Sequence, residues 1–483
     1  MKKLLPIILL LLGSSFLLSG QILKCGQEKF MEQHSPQYQQ MADRAYDHAR
    51  EQLNHSVSRS NQLLTVPVVV HVVYNTPEQN ISDEVIFSQL EVLNEDFQRL
   101  NTDAGEAREM YQAVADNPQI QFVLADTDPD GNPTTGITRT QTELPTFLPL
   151  NITTEDVFVA ADSCDVNLIN QQEFLDSFHC VNNTLLELAF EKLEAQDTTQ
   201  LDDMKFSDKG GIDAWDQDRY INIWVCNLTF RNDGQEVVGV LGFGTPPLEA
   251  PNWEGADFPE NIDEIDGVVV HYESFGRDNS ILADLGAAGG RTCTHEIGHY
   301  LGLRHIFGDG DCGDDDGLED TPVTNALFPI ESFEELLSLP SCEEAKETDT
   351  CPDDNLPDMI ENYMDYSPQT CQNLFTVQQV AIMRAMLEGP RSGLILEQVT
   401  NTYSLELDQA VTLYPNPTNG LLQLEMNGFN KEDFTVVVEN TIGQQLVHQP
   451  ASSHLQIGHL AKGLYWVRLK GEQMEIVRKV VLK

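Results

Sequence analysis

Basic side chains are scarce in this chain, with 28 Lys and Arg against 77 Asp and Glu across 483 residues and a formal net charge of −49. That deficit excludes nucleic acid and anionic membranes as partners, since both select a positive face. It suits an acidic, well-solvated surface, and the same charge attracts cations, Ca²⁺ included. Long apolar runs are also lacking. Beyond Leu4–Leu18 no stretch is apolar over the roughly 20 residues that a membrane-crossing helix needs. Internal repeats are absent as well. The hydrophobic share of 41% and charged share of 22% are those of an ordinary soluble protein. The length exceeds what one hydrophobic core holds, so at least two folded units are expected.

The N-terminus reads as a secretory signal peptide over residues 1–20. Lys2 and Lys3 precede the apolar stretch, and Ser19-Gly20 follows as a cleavage site. Export makes the cysteines disulfide candidates. There are nine, so at least one is unpaired within the chain. Cys312, Cys342, Cys351 and Cys371 lie in a loop-rich stretch and are expected to form two bridges, with three connectivities open. Cys164 and Cys180 can form a third. Cys226, in an apolar strand pattern, and Cys293 read as small core residues, which leaves Cys25 as the odd one.

Residues 21–65 are polar with helical stretches and little to bury, which suits a pro-segment. A catalytic domain over 66–390 is expected to follow. Val66–Tyr74 reads as a buried strand, and Ser82 can cap a helix carrying Ile86, Leu90, Leu93, Phe97 and Leu100. Ile120–Leu124, Ile221–Cys226 and Val268–His271 read as strands, and Arg291–Leu303 as a helix that Gly302 helps to stop. Strands and helices mixed in this order point to an α/β (α+β) domain. The acidic stretch 151–203 fits as an insertion. After a linker over 391–410 the texture changes. From Val411 onward there are seven Lys/Arg and six Asp/Glu, leaving 21 against 71 in the preceding 410 residues. Alternating runs there (Leu421–Met426, Phe434–Val438, Leu464–Leu469 and Ile476–Leu482) predict a small all-β sandwich over 411–483.

The chemistry-bearing residues cluster at His295-Glu296-Ile297-Gly298-His299. Two imidazoles four apart on a helix share one face and can share one Zn²⁺. Glu296 beside them can accept a proton from a metal-activated water as it attacks a carbonyl. Gly302 permits a sharp turn, and His305 returns as the third nitrogen ligand. Three protein ligands leave an open position, the catalytic form of a zinc site.

The run His295–His305 (HEIGHYLGLRH), with Asn362-Tyr363-Met364-Asp365-Tyr366 further on, resembles the metzincin pattern of an extended zinc motif plus a methionine turn. Trp215–Cys226, Asp266–Gly276, Gly313–Pro322 and Asn362–Thr376 narrow the resemblance to the pappalysin family, over about Pro67 to Leu387 apart from the acidic stretch. It implies a metzincin-like catalytic domain with a twisted mixed sheet, a zinc helix and substrate extended along the edge strand. It implies an apolar floor from Met364 and stabilisation of the tetrahedral intermediate by Tyr366. Asp316, Asp320 and Thr321 match a segment that binds Ca²⁺ in family members. The resemblance favours the bridges Cys312–Cys351 and Cys342–Cys371. Cys25-Gly26 can ligate zinc as a thiolate and block the open position, unless Asp43 does the blocking or Cys25 is a free thiol. Leu413–Gly420, Gly463-Leu464-Tyr465 and the basic end Arg478–Lys483 resemble the sorting domain of type IX secretion cargo, which implies secretion machinery as a partner and an extracellular or cell-surface location. The reading is a secreted zinc endopeptidase acting on proteins or peptides, and no nucleic acid. One alternative is a surface adhesin that keeps the zinc fold, but a binding-only site has no use for Glu296. Another is a zinc hydrolase of non-peptide substrates, which the methionine turn disfavours.

Overall fold

The computed structural model describes residues 25–27, 36–53, 62–148, 151–152, 200–232, 235–238, 240–248, 262–277, 289–308, 312–313, 315–325, 341–352, 356–396, 411–426, 428–440, 445–471 and 475–483. The expected signal peptide, the Cys164–Cys180 pair and most of the 151–203 insertion lie outside them. The chain divides into two compact units, Met1–Leu396 and Glu397–Lys483. Among the described residues no helix is long and apolar enough to cross a membrane.

The first unit is built on a mixed sheet whose central strand is β1 (Leu64–Tyr74). Its VVV runs suit a strand buried on both faces, and Val66 to Val73 are sealed from solvent. β1 pairs in parallel with β2 (Ile120–Leu124) along its first half and β3 (Ile137–Gln141) along its second. On its other side lies β4 (Ile221–Cys226), also parallel, with Val70 opposite Ile223. The edge strand β5 (Gly242–Gly244) runs antiparallel to β6 (Val268–His271), which is itself parallel to β4. The longer helices among its described residues are α1 (Pro36–Leu53), α2 (Asp83–Asp96), α3 (Arg291–Tyr300) and α4 (Val377–Glu388). One apolar cluster joins the sheet to residues of α1, α2, α3 and α4.

Four sequence expectations are corrected. Residues 21–65 do bury surface: α1 sinks Met41, Ala45, Tyr46 and Ala49 against the domain. Leu100 is not on the α2 stripe, because the helix ends at Asp96 and Leu100 stands 66% exposed. The end of the supposed insertion belongs to the core, since Leu201 is fully buried and Asp202 is sealed against Lys205, just past it, which lies over the Trp224 and Phe243 rings. The supposed linker begins too early. Arg391 bridges Asp266 and stacks on Tyr300, and the Leu396 amide donates to the Thr65 carbonyl.

The second unit has two sheets. One joins β7 (Val411–Tyr414), β8 (Leu421–Met426) and β11 (His454–Gln456); the other orders β10 (Gln445–Pro450), β9 (Thr435–Asn440), β12 (Gly463–Lys470) and β13 (Glu475–Leu482). Alternate residues of β8 are buried, and Leu422 and Leu424 share one core with Val436, Val467 and Val480 of the other sheet. That is a small sandwich with its own interior.

Candidate active site

Helix α3 carries the cluster, and its ends are fixed by specific partners. At its start the Arg291 amide donates to the Gln369 side chain, 3.0 Å away. At its end the Gly302 amide donates to the His299 carbonyl and the Leu303 amide to that of Gly298, a paired closure that requires the left-handed φ of +91° at Gly302. The turn sends the chain back, so His305 meets His295 and His299. The Nε2 atoms of the three rings lie 3.1, 3.1 and 3.0 Å apart. Their Nδ1 atoms face the other way, His295 toward the Tyr363 carbonyl at 2.7 Å and His299 toward that of Leu303 at 2.8 Å. A carbonyl can only accept, so in those two rings the proton sits on Nδ1 and the Nε2 lone pair points inward. Three nitrogens this close repel unless a cation lies between them, and ligands about 2.0–2.1 Å from a tetrahedral zinc would sit roughly 3.3 Å apart. The donor set fits zinc.

Glu296 points to the same place from beside the histidines. It is fully buried, one carboxylate oxygen has no hydrogen-bond partner, and burial raises its pKa well above the usual carboxylate range. The edge strand comes close: a Cβ on Gly242 would fall 2.8 Å from the Glu296 side chain, so only glycine admits this approach. Against the helix, the sulfur of fully buried Met364 would stand 2.4 Å from a Cβ on Gly298. Met364 therefore packs against the helix, and Gly298, the second residue after Glu296, must stay small. The Tyr366 ring lies edge-on to His305 at 4.9 Å and 6.0 Å from that of His295.

Cys25 completes the constellation. Its sulfur and the three histidine nitrogens all lie within 4.8 Å of one another, and the thiol donates to Glu296 at 3.4 Å. The neighbouring Gly26 amide donates to the Gly242 carbonyl at 2.7 Å, and the Gly244 amide donates to the Gln27 side chain at 3.3 Å. Asp43, the other blocking candidate, is elsewhere, paired with Arg304 at 2.7 Å. Cys226 and Cys293 are buried and burial raises their thiols, so neither is a nucleophile.

Cys312 bonds Cys351, and Cys342 bonds Cys371. Asp316 and Thr321 meet, with the Thr321 hydroxyl donating to one Asp316 oxygen at 2.7 Å, while the other Asp316 oxygen is buried without a partner. Asp320 is engaged differently: its carboxylate accepts from the Thr376 hydroxyl and the Gln378 amide at the start of α4.

Sequence reasoning missed Asp96. This buried carboxylate accepts from Thr294 on α3 at 2.8 Å and from the Tyr363 hydroxyl at 2.7 Å, tying the helix to the methionine turn. A signal was present, because Gln89, Leu93 and Asp96 fall on one face of α2, an acidic group on a buried stripe.

A helix with two histidines and a glutamate, a third histidine after a glycine turn and a buried methionine packed against that helix define a metallopeptidase of the metzincin class. The comparisons agree. Residues 279–388 match the peptidase family described as Pregnancy-associated plasma protein-A, and residues 412–483 match the Secretion system C-terminal sorting domain. An Extracellular metalloprotease of Arthroderma benhamiae is 40% identical over 107 residues, 22% of this chain and 32% of that protein. Another, of Verticillium alfalfae, is 38% identical over 165 residues, 32% of this chain and 51% of that protein. The chain thus spans a third to a half of these curated relatives. A mutant promirolysin of Tannerella forsythia is 32% identical over 78% of this chain and 97% of that one, with a TM-score of 0.53. The chain belongs to the pappalysin family of metallopeptidases.

Proposed function

We propose that the protein is a secreted or cell-surface zinc endopeptidase, held latent by Cys25, that hydrolyses peptide bonds with Glu296 as general base. The convergence of His295, His299 and His305 with buried Glu296 beside them carries this reading. Those three histidines would hold zinc, which when bound supplies Lewis-acid activation of water and of the scissile carbonyl. Glu296 takes the proton from the attacking water and returns it to the departing amine. The Tyr363 and Leu303 carbonyls keep two imidazoles in the tautomer that ligates. Tyr366, beside His305, would donate a hydrogen bond to the oxyanion of the tetrahedral intermediate. Strand β5 would pair with an extended peptide by main-chain bonds, a role supported by the Gly26 amide on the Gly242 carbonyl.

Cys25 supports latency because its sulfur would make a fourth ligand. A closed set of one cysteine and three histidines is the structural rather than the catalytic form of zinc site. The segment Cys25–Gln27 also covers β5. Calcium at Asp316, Asp320 and Thr321 belongs to the same reading, supported by the orphaned Asp316 oxygen, the kind of group a hard cation satisfies. The sorting domain addresses the protein to the secretion machinery, and substrates are proteins or peptides.

The test is cleavage of an unbiased peptide library by the pro-segment-free protein beside Glu296→Ala, with zinc quantified in both. Wild type should cut, while the variant keeps zinc and loses cutting by at least about a hundredfold. Zinc binding without cutting by either would leave a surface binding protein as the reading.

A further inference from the structure

Helix α1 is separated in sequence from Cys25 and meets the catalytic unit on a different surface. Its buried residues Met41, Ala45, Tyr46 and Ala49 follow a helical spacing and form one face, while Arg44, Asp47 and His48 are exposed. That face packs against α4, and Ala45, Tyr46 and Ala49 belong to the same apolar cluster as Leu318, Val380 and Met383. Polar contacts set the register. The Arg304 guanidinium lies 4.3 Å from the Tyr46 ring centroid and pairs with Asp43 at 2.7 Å. The Tyr46 hydroxyl donates to the Asp316 carbonyl. At Gly317 a Cβ would fall 2.2 Å from the Arg50 guanidinium, so the loop fits against the last turn of the helix.

We infer that the surface formed by α4, Arg304 and the Asp316–Leu318 loop is a docking seat for α1, holding residues 36–53 on the catalytic unit independently of the Cys25 contact at the histidines. The partner it fits is an amphipathic helix with alanines four apart, a tyrosine beside them and a carboxylate one turn earlier. The apolar face supplies the hold, because Asp43 and Arg304 are 42% and 38% exposed and a pair that open is worth little. An 18-residue helix this polar is marginal in water by itself, so its persistence reports the docking. Two anchors then secure the segment, and losing the thiol contact alone leaves α1 in place. Only that consequence for latency rests on the reading of residues 21–65 as a pro-segment; the seat does not.

Hydrogen exchange on the full chain separates the anchors without any activity measurement. In Cys25→Ser the Gly26 amide, bonded to Gly242, should exchange at least about tenfold faster while the Met41–Ala49 amides stay within about threefold of wild type. In Ala49→Arg, which forces a charge against α4, the Met41–Ala49 amides should accelerate at least about tenfold and Gly26 should not. Protection of β1 in each variant reports that the domain is folded. Should Ala49→Arg lose it, Tyr46→Ala, which trims rather than crowds, repeats the test. If Cys25→Ser accelerates the helix as much as Gly26, there is one anchor and the inference falls. It falls equally if a folded Ala49→Arg or Tyr46→Ala leaves the helix amides at wild-type rates.

Discussion

Asp96 touches neither a histidine nor Glu296, yet three parts of the site depend on its carboxylate. It accepts from Thr294 one residue before His295, and from Tyr363, whose main-chain oxygen receives the His295 Nδ1 proton. It also lies 3.5 Å from the Arg291 guanidinium, which has a second partner in Asp103. Replacing it with alanine strands two buried hydroxyls, and the cost should be about 3 kcal/mol of unfolding free energy, read by urea denaturation. Orientation of His295 should suffer too, lowering zinc affinity by about tenfold in a chelator competition. Asp96→Asn keeps one acceptor oxygen and should lose less on both counts. Unchanged zinc affinity in a destabilised Asp96→Ala would reduce the residue to a packing role.

Among the elements, β1 shows how burial and charge are reconciled inside the sheet. His71 is fully buried there, its Nε2 3.0 Å from the Asn222 side-chain oxygen and its Nδ1 2.7 Å from the Thr138 hydroxyl. The Asn222 oxygen also accepts from the Trp215 amide, so Nε2 carries the proton and Nδ1 accepts from Thr138. Burial pushes the His71 pKa down to about 4, below the 6.5 of an unfolded chain. The unfolded state therefore binds the proton first as pH falls, and stability drops between pH 6.5 and 4, by about 3 kcal/mol if the shift is fully expressed. Above pH 6.5 the residue contributes no slope. Denaturation midpoints at pH 7.5 and 5 should fall further apart in wild type than in His71→Gln; equal slopes would refute the assignment. β1 itself was legible because VPVVVHVVY is a continuous apolar run, and α3 because its motif fixes both ends. β5 was not. A Gly-Phe-Gly strand has no propensity of its own, and its glycines answer to the approach of Glu296, which only the fold supplies. The seat of α1 was hidden for a related reason: its stripe is one methionine, two alanines and one tyrosine, too little hydrophobicity to stand out in a polar segment.

At the scale of the whole molecule, the charge change near residue 411 marked two units, and their division after Leu396 falls within the linker expected over 391–410, though the first unit keeps that linker's opening residues. Charge reports surface composition, whereas the boundary is set by where burial stops. The first unit runs to Leu396 because Arg391 meets Asp266 at 2.5 and 2.8 Å with its guanidinium 3.6 Å from the Tyr300 ring centroid. Leu394 is 1% exposed in the main core, and the Leu396 amide closes onto Thr65 beside the start of β1. The second unit carries a separate interior of its own. A chain ended after Leu396 should thus keep the catalytic unit's unfolding free energy within about 1 kcal/mol of its value in the full protein. Ending it after Pro390 instead removes one side of a buried ion pair and one buried leucine, each worth about 3 kcal/mol or more, so a loss on the order of 5 kcal/mol is expected. Urea unfolding of the two truncations, followed by Trp fluorescence, distinguishes them, because Trp215 and Trp224 report the first unit. Trp466 of the second unit is absent from both chains, so the signals are directly comparable. Equal midpoints would mean that residues 391–396 only line the surface and that the linker begins at 391, as the sequence suggests.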